Sequence, residues 1–366
     1  MNNHCIQTYS MQFVDSSIFN FSFILKKVDQ DFIVEENLPV FFVSSNEHPC
    51  IYFWLHKKHY TTMEAVQYIA DFIGVSPNEI GYAGLKDENA LTSQKISLPN
   101  LVENPQNLAE RFNKTFDNGS QYIKLFMLGY ADAPIKIGRL NGNSFRIIIR
   151  NVKKSFAEIL LKKRKFNFFF LNYYDYQRFG LEGKKKVTHL IGKELLNKNY
   201  DKAFEYLMMS ESPESKLGMS YKGNKSDFFL SLPNNTYSFY CNSYSSYLFN
   251  QELSDKINCY DYMQASIYPG GLINLPLDLD LLTSRDFLNE HISLLSYRWF
   301  NGILDAVKSF RDCVKSSLIS VQNIEEDPYF LGKYCVEVTF SLPPGTYATM
   351  LVKQLEWLLR SDKHVK

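Results

Sequence analysis

Strand-like sequence at both ends of the chain, with helix-like sequence between, is the feature that most constrains the fold. "FSFILKKVDQDFIVEE" (Phe21–Glu36) reads as two short strands around a turn at Asp29-Gln30, and "PCIYFWLHKKHY" continues as a strand through Leu55. "TTMEAVQYIADFIGVSP" reads as a helix. Thr61 or Thr62 can cap it, Met63, Val66, Ile69, Ala70 and Ile73 fall at helical spacing, and Gly74 stops it. "QKISLP" is a strand. "KIGRLNGNSFRIIIR" (Lys136–Arg150) is a polar, glycine-containing turn leading into a buried strand, and "NVKKSFAEILLKKRKFNFFF" reads as a helix with a cationic face. From about Asn167 the chain becomes richer in Asn, Tyr and Ser. "KKVTHLIGKELLNKNYDKAFEYLMMS" and "SYSSYLFNQELSDKI" read as amphipathic helices, and "YPGGLINLPLDLD" as turns. Near Val336 the strand style returns, and "KYCVEVTFSLPPGTYATMLVKQLEWLLR" is a strand, a Pro-Pro-Gly turn and a final helix. The pattern predicts an α/β (α+β) protein in which a domain built from both chain ends carries a mostly helical insertion.

With 366 residues the chain can hold one large domain or two ordinary ones, and its 45% hydrophobic share is that of a globular protein. Most of the 29 Phe and 24 Tyr must be core, which leaves some free to act as stacking platforms. Forty basic residues against 39 acidic give a net charge of +1, which excludes a histone-like nucleic-acid binder but not a local basic groove. The six cysteines are scattered without a C-x-x-C, so neither a zinc site nor a redox pair is expected, and reduced thiols in a cytoplasmic protein are. The N-terminus lacks the basic start and apolar run of a signal peptide. The apolar stretches are shorter than the roughly 20 residues of a membrane helix.

"GYAGLKDENALTSQ" (Gly81–Gln94) is the densest cluster of unusual choices, and it falls between a helix and a strand, where functional loops are common. A phosphate loop needs G-x-x-x-x-G-K-[ST]; here Gly81 and Gly84 are too close, and Asp87 stands where the hydroxyl should be. A G-x-x-G grip on a nucleic-acid backbone matches "GYAG", but the strand that follows fits it poorly. A plain turn, in which both glycines supply positive φ and Asp87 caps the next turn, stays open. So does a presented carboxylate, Asp87, acting as nucleophile or base, with Lys86 favouring its ionised form. His56 and His59 have no third ligand in sight, and no G-x-S-x-G occurs. The basic groups Lys153/Lys154, Lys162–Lys165 and Lys184–Lys186 read as solvated helix faces or as phosphate contacts.

Six blocks, in order from Lys26 to Leu355, resemble the TruD-type tRNA pseudouridine synthases. These are "KKVDQDFIVEE", the Gly81–Gln94 loop, "KIGRLNGNSFRIIIR", "NYYDYQRFG" (Asn172–Gly180), "SYLFNQELS" and "LPPGTYATMLVKQL". The resemblance implies a mixed-sheet catalytic domain from residues 1–166 and 311–366, with a family-specific insertion over 167–310. It implies isomerisation of a uridine in tRNA, at position 13 in the D-arm region, with Asp87 as the catalytic aspartate. The implied substrate contacts are Phe32, Lys86, Asn143, Phe145 as stacking aromatic, and Gly345. It implies no cofactor and no metal, tRNA as partner, and neither a membrane nor an obligate protein partner. A binding module that grips the D-arm without chemistry is the competing class. Three places depart from the family pattern. Glu88 stands where a basic residue is usual, Asp175 where "NYFG" has glycine, and Lys353-Gln354 where many members have Arg and Glu.

Overall fold

The computed structural model describes residues 18–43, 47–86, 90–100, 104–300 and 302–360. The chain divides into two compact units: residues 23–168 with 317–348, and the described residues of 1–22, 169–316 and 349–366.

The first unit carries most of a mixed sheet. In chain order its elements are β2 (Phe32–Asn37), which follows a short β1 (Phe19–Asn20), then β3 (Cys50–Lys58), α1 (Thr62–Ile73), β4 (Gly81–Tyr82) and β5 (Leu91–Pro99). α2 (Pro105–Thr115), β6 (Tyr122–Ala131), β7 (Gly142–Val152), α3 (Lys154–Lys163) and β8 (Lys165–Leu171) follow, and β13 (Val314–Glu326) and β14 (Tyr334–Leu342) complete it from the far end of the chain. The strand order is β6-β3-β5-β2-β7-β14-β13-β8, with β4 on β5. β2 and β5 run parallel, while β3 is antiparallel to β5 and β6, and β7 to β2 and β14.

Strand alternation decides the faces. Ile51, Phe53 and Leu55 of β3 point with Ile96 and Leu98 of β5 into a core shared with Ala65, Val66 and Ile69 of α1 and Leu108 and Phe112 of α2. α1 starts at a reciprocal cap, in which the Thr61 hydroxyl accepts from Glu64 N and the Glu64 carboxylate accepts from Thr61 N. It ends at Gly74 with φ of 74°.

Two local expectations change here. Phe21–Glu36 does not form two strands: only Ile24 bridges to Arg150 before a 3₁₀ turn at Asp29–Asp31, and β2 begins at Phe32. Side chains hold this segment in place of a ladder. Arg150 donates to both carboxylate oxygens of buried Asp31 at 2.6 Å, and also to Asp327 at 3.3 Å. The predicted helix through Phe170 stops at Lys163, because Arg164 takes φ of 49° and the aromatic run that follows forms β8.

The second unit contains α4 (Thr188–Leu196), α5 (Tyr200–Ser210), α6 (Pro213–Ser220), α7 (Lys225–Ser231) and α8 (Asn234–Ile257), followed by β9 (Tyr262–Tyr268), β10 (Gly271–Pro276) and a short α9 (Arg285–Leu288). β11 (His291–Phe300), β12 (Ile303–Asp312) and α10 (Ala348–Arg360) complete it. Gly192 allows α4 to meet α8, since a Cβ there would lie 1.9 Å from the Tyr240 carbonyl oxygen. Strands therefore return at Tyr262, well before Val336, and "YPGGLINLP" is a hairpin turn and strand as well as a run of turns. Ile303 and Phe310 leave apolar side chains exposed on the β11–β12 hairpin, which blurs the alternation that would announce a strand.

Two departures from the family pattern meet each other in this unit. The Lys353 ammonium lies 2.5 Å from the fully buried carboxylate of Asp175. Gln354 accepts from Leu171 N and donates to Leu171 O, both at 2.8 Å, a pairing that an ionised Glu could not complete.

Two predictions follow from this packing. Asp175→Ala strands a largely buried ammonium and is expected to cost about 3 kcal/mol, while Asp175→Ala with Lys353→Met costs clearly less; equal losses in urea melts would refute the coupling. His189 stacks on Tyr247 at 4.7 Å, and its buried Nδ1 has no hydrogen-bond partner among the described residues. Burial pushes this imidazole from 6.5 to about 4. The unfolded chain therefore binds more protons between those values, so stability is full above pH 6.5 and falls as pH drops toward 4. The loss approaches about 3 kcal/mol. His189→Phe should flatten that fall in thermal melts, and an unchanged slope would count against it.

Candidate active site

The Gly81–Gln94 loop is built on close approach. A Cβ on Gly81 would lie 2.3 Å from Ser97 Oγ and 2.4 Å from Ile135 O. Neither Gly81 nor Gly84 has positive φ, so Gly81 is required by space and not by the left-handed backbone expected of a plain turn.

Buried polar side chains then fix the loop residue by residue. Gln94 Nε2 donates to Gly84 O at 3.1 Å, and its Oε1 accepts from the Thr62 hydroxyl at 2.8 Å. The same Thr62 oxygen accepts from Lys86 N at 2.9 Å. Lys57, with no exposed surface, donates to Tyr60 O at 2.8 Å and Lys86 O at 3.2 Å. Lys86 Nζ lies 2.6 Å from Glu36 Oε1, and both side chains are buried. Lys86 is thus held by its N–H, its carbonyl and its ammonium. Asp87 and Glu88 lie outside the described residues.

Glu36 also ties the loop to the sheet. Phe32, Val34 and Glu36 project to one face of β2, and the β2–β7 register places Ile147, Phe145 and Asn143 beside them in that order. On the far side of β7, Phe145 pairs with Phe340 and Asn143 with Leu342. The Phe145 ring stacks on Phe340 at 5.4 Å and meets the edge of Phe32 at 6.1 Å. Lys26, with φ of 59°, holds its ammonium 4.4 Å over the Phe32 ring. Two buried oxygens on this face, Asn143 Oδ1 and Thr92 Oγ1, have no hydrogen-bond partner among the described residues. Buried polar atoms left so cost about 1–3 kcal/mol each, a cost that a hydrogen-bonding group brought to this face would remove.

Phe32, Lys86, Asn143 and Phe145 therefore share one face of the sheet. Gly345 lies in the turn between β14 and α10 with φ of 76°, a left-handed position that favours glycine. Sequence reasoning passed over Lys26, Glu36, Lys57, Thr62 and Gln94. Glu36 and Lys57 were within reach. Each ends a period-2 apolar series, Phe32-Val34-Glu36 and Ile51-Phe53-Leu55-Lys57, so each is a charge written at an inward position. His56 and His59 do not converge: His59 Nε2 lies 3.0 Å from Asp29, while His56 packs 5.0 Å from the Phe126 ring.

A family description, tRNA pseudouridine synthase D (TruD), matches residues 20–220, more than half of the chain. tRNA pseudouridine synthase D of Aquifex aeolicus is 26% identical, covering 90% of this chain and 97% of its own length. Probable tRNA pseudouridine synthase D of Pyrococcus abyssi is 30% identical, covering 90% and 95%. The crystal structure of a putative tRNA pseudouridine synthase D from Methanosarcina mazei superposes with a TM-score of 0.56 at 19% identity, covering 95% and 96%, a likeness of fold. The architecture is thus that of a solved, putative pseudouridine synthase. The chain itself belongs to the TruD family.

Lys57 is too deeply buried to touch a ligand, so its substitution tests the loop's anchoring alone. Lys57→Met should cost about 2 kcal/mol through its lost charge-assisted hydrogen bonds. It should also speed amide exchange at residues 84–86; unchanged exchange there would mean that other contacts hold the loop.

Proposed function

We propose that the chain converts uridine to pseudouridine in tRNA, at position 13 in the D-arm region, with Asp87 as nucleophile. The observation that carries this reading is the fixation of Lys86 at three atoms, immediately before Asp87, against a sheet face bearing aromatic rings and two unpartnered acceptors. Membership of the TruD family supports pseudouridine synthesis on tRNA.

In this reaction the N1–C1′ bond breaks, the uracil turns over, and C5 bonds to C1′. The proton lost from C5 is balanced by the one gained at N1, so nothing is oxidised or reduced. The carboxylate of Asp87 is the attacking group, at C6 of the base or at C1′ of the ribose. Either route needs the uridine out of its stack. Phe145, 8% exposed beside the more deeply buried Phe32, is the ring proposed to stack on the extruded base, where stacking is worth roughly 1–3 kcal/mol. Asn143 Oδ1 is suited to accept the uracil N3–H, and that hydrogen bond would remove its burial penalty. Lys26 supplies a cation beside the Phe32 ring, and Gly345 lets the substrate backbone approach the turn after β14. Lys86 is committed to Glu36, so its part is to position Asp87 and favour its ionised form. The unit of 23–168 and 317–348 carries the chemistry in this reading.

Asp87→Ala is expected to reduce pseudouridine at its tRNA site by more than about 1000-fold while leaving the melting temperature in place. Carbodiimide-based primer extension on tRNA measures this. Undiminished modification would remove Asp87 from the chemistry, and wild-type protein that never exceeds one turnover per chain would leave only a binder.

A further inference from the structure

The sheet of the first unit has a second face, and its side chains form an ordered grid. Trp54 on β3 stands between Lys95 on β5 and Phe126 on β6. One row along, His56 stands between Ser93 and Lys124, and Ser93 pairs in turn with Glu35 on β2. These positions alternate with the Phe53 and Leu55 core positions, so they point away from α1 and α2. Phe126 is 46% exposed. Glu35, Trp54, His56, Ser93 and Phe126 line a groove of about 360 Å³.

The chemistry of the groove is specific. Trp54 and Phe126 are directly cross-strand, and the Phe126 ring lies 5.0 Å from His56. Lys95 Nζ sits 4.5 Å over the Trp54 ring and donates to Leu38 O at 2.7 Å. Lys58, Lys124 and Arg146 are paired with Asp29, Asp117 and Glu337. Little free positive charge is therefore left to neutralise phosphates, and ring stacking supplies the attraction. Burial pushes the His56 imidazole down, so near neutral pH it offers one donor and one acceptor without charge. Glu35 disfavours a phosphate but accepts from an exocyclic amine, a pairing that carboxylates make with cytosine N4. Rings for stacking beside a carboxylate acceptor fit a nucleobase that carries an amino group.

We propose that this face takes one unstacked, amino-bearing nucleobase of a single-stranded RNA segment, stacked on Trp54 and Phe126 with Glu35 accepting from its exocyclic amine. The contact is separate from Phe32, Asn143 and Phe145, whose side chains lie on the opposite face of the sheet. It rests on the reading above only for the choice of RNA as ligand.

Anisotropy titrations of the full chain with labelled single-stranded RNA octamers of A, C or U test this. Oligo(A) or oligo(C) should bind about tenfold or more tightly than oligo(U). Phe126→Ala and Trp54→Ala should weaken binding roughly 10- to 100-fold. Glu35→Ala should erase the preference over oligo(U). Phe126 is surface-exposed, so its variant should fold as the wild type, as thermal melts would verify. Pseudouridine mapping of tRNA reads the proposed isomerisation on its own, so failure of the chemistry and failure of this contact are read separately. Wild-type affinity in Phe126→Ala and Trp54→Ala would overturn the proposal. So would a dimer in sedimentation that Phe126→Ala dissolves, because the face would then be covered by a second copy.

Discussion

The ion pair between Glu36 and Lys86, buried beside Lys57, is the interaction on which the rest of the site depends. Two ammoniums and a carboxylate in the interior are costly unless every valence is met. Here the Lys57 ammonium is met by the carbonyls of Tyr60 and Lys86, and the Lys86 ammonium by Glu36, whose other oxygen accepts from Lys95 N at 3.3 Å. The arrangement fixes main-chain atoms of the loop, and not only side chains. If the loop carries the chemistry proposed for it, such rigid backing lets a group act without reorganising when substrate arrives.

The legible parts of the sequence were those where one local rule decides the outcome. α1 could be read to within a residue because Thr61, Glu64 and Gly74 fix its ends without help from the rest of the fold. The strand from Gly142 announced itself through its β-branched run. β9 to β12 did not, because Ser, Gln and Tyr occupy inward and outward positions alike, and exposed Ile303 and Phe310 break the alternation. The turn before β2 failed for another reason. It is held by Arg150, Asp31 and Asp327, which are far apart in sequence, and no local pattern encodes such a contact. Two of the loop's anchors stayed hidden on the same ground: Thr62 and Gln94 acquire meaning only when α1 and β5 meet.

The departures at Asp175, Lys353 and Gln354 show how sequence differences can mislead when taken singly. Each alone suggests weakened RNA affinity or loosened positioning. In space, the carboxylate gained at 175 lies against the ammonium at 353, and Gln354 closes both backbone groups of Leu171. The ion pair and the amide pairing give these changes internal partners, although Asp175 Oδ2 is left without a hydrogen bond among the described residues.

A sheet with period-2 side chains always presents two faces, and here the two are written differently. Toward α1 and α2, every charge on β2 and β3 is paired inside, and the aromatic rings pack on one another. On the other side, Trp54, His56 and Phe126 stand in a shallow groove beside an exposed carboxylate. A purely structural sheet surface has no need of a cross-strand Trp–Phe pair in contact with solvent, because such a pair forgoes burial that the core would reward. The same alternation that places Glu36 under the loop places Glu35 in the groove. One strand therefore divides its two adjacent carboxylates between fixing the loop and facing whatever lies on the open side of the sheet.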